Sequence, residues 1–307
     1  MNATTTGMQG TKAGKTLRTP LGRSPWLLPG FLAVWGFAVI VPLLVLLAYS
    51  FFESRNFSMI YRPSLKTWMD LFSSGRFEVT VRTLRIALTV TLIELAVGFP
   101  FALWLAKGNC SKTTRAVVLA MLTIPFFLDL SSRIIVWRGI LDANGLINYL
   151  LLHAHLIESR WTWMLYTEWS VHFGMVVTYF PMMVLPIYMA INVIDDTLIA
   201  AASDLGASRA RVLVDVIVPL SMPGVLAGVV FTLGPALASW VEPNMLGGGF
   251  VNMLSNSVDS AYGSLRYPVV AALSSFVVLM VGFILVVLML VTRRIADIGT
   301  AFRSLQN

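Results

Sequence analysis

From Tyr267 to Val291 the chain runs through 25 residues without one charged side chain. About 20 such residues are enough for a helix to cross the roughly 30 Å hydrocarbon layer of a bilayer. A buried strand or soluble core helix is shorter and is interrupted by polar residues, so this run restricts the fold to one that spans a membrane. The rest of the composition agrees: 57% of residues are hydrophobic and 12% charged, where soluble domains have about 45–50% and about 25%.

Five more apolar runs precede it, over about 26–52, 84–106, 116–137, 166–191 and 224–241. The first exceeds the apolar core of a signal peptide, about 7–15 residues, and is expected to be an uncleaved helix. The expected fold is therefore an all-α integral membrane protein with six transmembrane helices over residues 26–292. A basic tail, 1–25, precedes the spans and a short tail, 293–307, follows them.

Six spans put both termini on one side, with the loop after span two and the segment after span four. That side carries Lys12, Lys15, Arg18, Arg23, Lys107, Lys112, Arg115, Arg209, Arg211, Arg293, Arg294 and Arg303. The loops opposite carry Arg55, Arg62, Lys66, Arg76, Arg160 and Arg266. The excess places the termini in the cytoplasm, because basic residues accumulate on that face. The same flanking residues explain the formal charge of +7 without invoking nucleic acid.

Several functions lack the residues they need. Cys110 is the single cysteine, which excludes an internal disulfide, and with His153, His155 and His172 it makes no metal-ligand spacing. The stretch 10–16, GTKAGKT, is one residue short of a phosphate-binding loop and follows no strand. No nucleophile elbow, zinc-protease or dinucleotide fingerprint occurs, and no loop is large enough for an ATPase domain. The chain is expected to be a transport component rather than an enzyme, with energy arriving from elsewhere.

Ionisable residues inside spans cost about 2.5–3.5 kcal/mol on insertion scales and mark partners or water paths. Glu94 lies in span two with no local partner. Asp129 and Arg133 are four apart in span three, where a helix would place them on one face as an ion pair or along a path. Glu242 follows span five beside Pro243, where water is expected to reach it. Outside the spans, Asn144-Gly145 signals a turn. Leu146, Ile147, Leu150 and Leu151 then suit a short interfacial helix anchored by Trp161 and Trp163.

The segment Ile194–Pro223 is too polar to cross the bilayer. Asp195 or Asp196 can cap a helix carrying Leu198, Ala202 and Leu205, and Gly206 can stop it. Ser208 can cap a second helix with Val212, Leu213, Val216 and Ile217 along one stripe, ended by Pro219. The pattern predicts an amphipathic helix–turn–helix between spans four and five.

Within it, Ala200-Ala201-Ala202-Ser203-Asp204-Leu205-Gly206 followed by Val218-Pro219 resembles the cytoplasmic "EAA" coupling loop of permease subunits of binding-protein-dependent ATP-binding-cassette importers. Four further stretches are similar to the spermidine/putrescine-type branch: Ile124–Trp137, Asn144–Asn148, Tyr179–Tyr188, and Pro243 with Leu246-Gly247-Gly248. The family glutamate is replaced by Ala200, and Leu128 and Asp129 stand where the branch has small polar residues.

The resemblance implies coupling to two cytoplasmic ATPases through Ala200, Ala201, Ala202, Asp204, Leu205, Gly206 and Pro219. It implies a path shared with a second permease, for which the candidate residues are Glu94, Asp129, Arg133, Trp137, Tyr179 and Glu242. It further implies an extracytoplasmic solute-binding protein, a bacterial inner-membrane location, and ATP and magnesium on the partner subunits with no cofactor on this chain. The expected solute is a polyamine or related small organic molecule. The alternative from the residues alone is a stand-alone transporter driven by protons through Glu94 and Asp129.

Overall fold

The computed structural model describes residues 27–55, 58–73 and 76–304. The basic tail over 1–25, with the 10–16 stretch, lies outside the described residues. Two compact units divide the chain, 1–45 and 46–307. What is described of the first belongs to helix α1 (Leu27–Tyr49), a 23-residue helix with no charged side chain.

In the second unit a small antiparallel hairpin, β1 (Glu53–Arg55) and β2 (Ser58–Ile60), precedes the helices. Helix α2 (Lys66–Ser73) follows, and Trp68 Nε1 donates to Ser50 Oγ at 3.1 Å. Helix α3 (Arg76–Lys107) is 32 residues long and carries Glu94 near its middle.

The third expected span does not form as one helix. Helix α4 (Lys112–Thr123) passes into a 3₁₀ turn, Ile124–Phe127, and chain direction changes by 106° before α5 (Leu130–Leu141) and α6 (Leu146–His153). Pro125 sits in the first turn of the 3₁₀ segment and has no N–H to donate. Asp129 then takes φ −59° and ψ 137° and accepts from Ser132 N at 2.9 Å, starting a new helix. The continuous helix expected over 116–137 is thus a broken element. Among the described residues five helices are long and apolar enough to cross a membrane, or six if this bent pair is one span.

Helix α7 (Glu168–Asn192) begins with a capping box between Thr167 and Ser170 and accommodates Pro181 and Pro186. Neighbouring helices make internal prolines tolerable in a membrane bundle. It is the most enclosed helix, with Met175, Met183, Val184, Ile187 and Ile191 fully buried.

Helix α8 (Asp196–Asp204) and helix α9 (Arg209–Val212) form the expected pair, capped by Asp195 and Ser208. The expected stop at Pro219 is absent. A π-turn over Leu213–Ile217 continues directly into helix α10 (Val218–Ala238), with Val218 N donating to Leu213 O. Pro219, the second residue of α10, lies inside a continuous helix just past the π-turn, the kind of irregularity that accompanies a proline within a helix. The fifth membrane helix therefore begins inside the segment expected to be separate from it.

Gly224 and Gly228, four apart on α10, bring it against α7. A Cβ at Gly224 would overlap that of Ala190 and lie 2.5 Å from Pro186 O; one at Gly228 would lie 2.9 Å from Met183 O. Such small-residue pairs permit close helix approach in membranes, where packing rather than water drives association. Helix α11 (Val241–Met245) and helix α12 (Leu254–Gly263) turn the chain at the far end, and helix α13 (Tyr267–Ser304) returns.

Candidate functional site

The α8–α9 pair is fastened on one face and bare on the other. Lys107 Nζ, from the last turn of α3, donates to Ile194 O and to Asp196 Oδ1, each at 2.6 Å. Ile199, Ala202, Ala207, Leu213 and Val216 pack against a core that includes Leu105, Ile191, Val212 and Ile217. The apolar stripe is thus Ile199 and Ala202; Leu198 and Leu205, expected on that stripe, are 52% and 90% exposed. Ala200, Ala201 and Asp204 are exposed too. Gly206 holds φ +83°, a left-handed turn at which most side chains are strained. The backbone N–H of Thr197 donates to Asp195 and holds its carboxyl below the usual range. The pair presents a polar and small-residue ridge tipped by Leu205.

A second constellation lies at mid-height in the bundle. Glu94 on α3 and Tyr179 on α7 are each 13 residues from the helix-pair ends of their helices, Lys107 and Asn192. That places both about 20 Å from those ends at 1.5 Å per residue. Glu94 is fully buried, neither carboxylate oxygen has a hydrogen-bond partner, and Thr232 of α10 is the hydroxyl that faces it. Tyr179, 4% exposed, is flanked by Glu242, Ser239 and Glu94.

Glu242 is also fully buried, which corrects the expectation that water reaches it. Ser239, Val241 and Pro243 beside it are buried too, so a position that follows a span in sequence lies within the packed bundle. Ser239 Oγ donates to Glu242 Oε2, while Oε1 is unpartnered. Among the described residues the ion pairs are Arg82 with Glu78 and Glu168, Arg85 with Glu168, and Lys107 with Asp196. None neutralises Glu94 or Glu242. Two carboxyl groups without a basic partner thus occupy the interior, a costly arrangement that favours an incoming cation.

Asp129 and Arg133 do not form the expected pair. Asp129 is exposed and accepts from Ser132 N and Oγ, while Arg133 Nε is buried without a partner. The two still share a helix turn, since Arg133 N donates to Asp129 O at 3.3 Å, but the Asp129 carboxylate is taken up as the cap of α5 by Ser132. Trp137 begins a ladder of rings: Trp137 to Phe173 at 4.9 Å, Phe173 to Trp169 at 5.3 Å, Trp169 to Trp163 at 5.2 Å and Trp163 to Trp161 at 5.7 Å. The segment from Asp142 to Trp161 is pinned beside it, since Asn148 Nδ2 donates to Asp142 O and Trp161 O.

Sequence reasoning missed Thr232 and Ser239. Their seven-residue spacing at the end of an apolar run was the available signal, but without neighbouring helices a hydroxyl in a span reads as an internal hydrogen bond. It missed Gly224 and Gly228 as well, although G-x-x-x-G in an apolar run marks a packing face.

Residues 84–299 match the family described as binding-protein-dependent transport system inner membrane component. The chain is 31% identical over 251 residues to the spermidine/putrescine transport system permease protein PotB of Escherichia coli (strain K12), covering 81% of this chain and 90% of that one. It is 31% identical over 227 residues to the protein of the same name in Haemophilus influenzae, covering 74% and 78%. In fold it is similar to a chain of a bacterial alginate ABC transporter crystallised with an alginate pentasaccharide-bound periplasmic protein, with a TM-score of 0.68, 20% identity and coverage of 88% and 95%. A bundle whose bare helix pair continues into a membrane helix, matched over most of its length, has a definite family: the chain belongs to the inner-membrane permease components of binding-protein-dependent transport systems.

Proposed function

We propose that this chain and a second permease form the solute path of an ATP-driven importer, and that its α8–α9 pair receives the movement of two ATPase subunits. The observation that carries this reading is the pair's two-sidedness. Lys107 and the core under Ile199 and Ala202 fasten the inner face, and Leu205 stands 90% exposed at the tip. An apolar side chain so exposed beside a small-residue ridge suits insertion into a cleft on another protein. The π-turn makes the pair continuous with α10, so a push on the ridge displaces a membrane helix as a body. Both termini and the pair lie on the cytoplasmic side, and an extracytoplasmic binding protein delivers the solute opposite. Family membership favours this over a transporter driven by protons alone.

The solute is a polyamine or a similar small organic cation. Glu94 and Glu242, buried without basic partners, supply the charge such a solute needs, and relatives bear the name spermidine/putrescine permease. With Cys110 changed to Ser, Leu205→Cys should crosslink to the co-purified ATPase, and Leu92→Cys, 64% exposed at mid-helix, should not. Equal crosslinking at both positions contradicts docking through the pair. Retention of putrescine or spermidine by the co-encoded binding protein supports the solute, and failure to retain either removes it.

A further inference from the structure

A cavity of about 460 Å³ lies between the far end of α10, helix α12 and the first turns of α13. That volume is within the roughly 300–1,000 Å³ of ordinary small-ligand sites. Its walls are apolar, formed largely by Val258, Val270, Val277 and Val278. Trp240 and Tyr262 bring aromatic rings, 47% and 61% exposed, and Asp259 is the one charged lining residue. Asp259 has no ion-pair partner among the described residues.

These features match one chemistry. A carboxylate and two aromatic faces attract an ammonium group, and the valine walls accept methylene groups. The cavity's inner wall leads toward the buried acids. Ser255, which lines it, donates through Oγ to Ser239 O, and Ser239 Oγ donates to Glu242, whose Oε1 is unpartnered. A lipid headgroup fits less well, because an aminophospholipid carries a phosphate and no lysine or arginine lines the cavity.

We propose that this cavity is a binding site for the ammonium end of a free alkylammonium solute, held by Asp259, Trp240 and Tyr262. It deepens the cation reading above and rests on it only for the solute's passage onward to Glu242 and Glu94.

The test uses the assembled importer, this chain with its ATPases and sister permease, in nanodiscs without the binding protein. Equilibrium dialysis with radiolabelled spermidine reads the affinity. Asp259→Asn should weaken binding at least tenfold and Trp240→Leu at least threefold, while Asp259→Glu stays within threefold of wild type. Should Asp259→Asn fail to assemble, the Trp240→Leu and Asp259→Glu pair carries the comparison. Wild-type affinity in Asp259→Asn and Trp240→Leu overturns the site. So does native mass spectrometry that finds an aminophospholipid retained there and not displaced by spermidine. If the binding protein retains no amine while Asp259-dependent spermidine binding persists, the solute reading fails and the site stands. If the binding protein retains amines and Asp259→Asn binds like wild type, the reading stands and the site fails.

Discussion

Lys107 Nζ and Asp196 Oδ1 lie 2.6 Å apart, joining the end of the helix that carries Glu94 to the first turn of the exposed helix pair. The same ammonium donates to Ile194 O at 2.6 Å, so one side chain fixes both the backbone and the cap region. Asp196 is 84% exposed on its side chain, so the ion pair itself is worth less than about 1 kcal/mol. Its consequence is positional.

Lys107→Met should therefore leave the thermal midpoint of the assembled complex nearly unchanged and lower solute uptake severalfold. Parallel measurement of melting and of uptake in membrane vesicles separates the two effects. A large fall in stability with proportionate loss of uptake would mean that the contact only holds the fold.

Gly206 permits a distinction between strain and crowding. A Cβ there meets nothing within 4 Å, yet the residue holds φ +83°. Gly206→Ala should cost about 1–2 kcal/mol through backbone conformation alone, and Gly206→Asn less, because Asn tolerates the left-handed region. Uptake and hydrogen exchange over 196–212 should rank Gly, Asn, Ala.

The α7–α10 contact gives the opposite case. Gly224→Val introduces atoms against Ala190 and Pro186 and should cost at least about 1–3 kcal/mol. Gly234→Ala on the same helix meets nothing within 4 Å and should be neutral or stabilising by up to about 1 kcal/mol. Thermal unfolding of the detergent-solubilised complex measures both.

Glu94→Gln removes a buried ionisable group that no basic partner compensates. The variant should unfold at the same temperature as wild type or higher, and its uptake of spermidine should drop at least tenfold. Unaltered uptake would remove Glu94 from the path and leave it as a structural residue.

Much of this architecture was legible because hydrophobic length and caps are local properties. Asp195 and Ser208 cap the helices expected of them, and the uncharged run from Tyr267 becomes α13. The errors arose where a neighbour or a backbone irregularity decides the outcome. Pro125 and Asp129 sit in an apolar run whose hydropathy resembles that of a straight span, but together they turn the chain by 106°. Pro219 is a helix stop by rule, and a π-turn that no residue pattern announces carries the helix past it. Glu242 looked accessible from its place after a span, and tertiary folding buries it completely. Tyr179 and Thr232, which stand beside Glu242 and Glu94, come from helices that no linear spacing brings together.

Entry of force through the ridge tipped by Leu205 and Gly206 can be read directly. Its most direct measurement is ATP hydrolysis by the complex reconstituted with the co-encoded ATPase and sister permease, with and without loaded binding protein. In Leu205→Asp and Gly206→Trp, stimulation by the binding protein should fall to the unstimulated rate, or the ATPase should no longer co-purify. Hydrolysis stimulated to the wild-type level in both variants would contradict entry of force through the ridge.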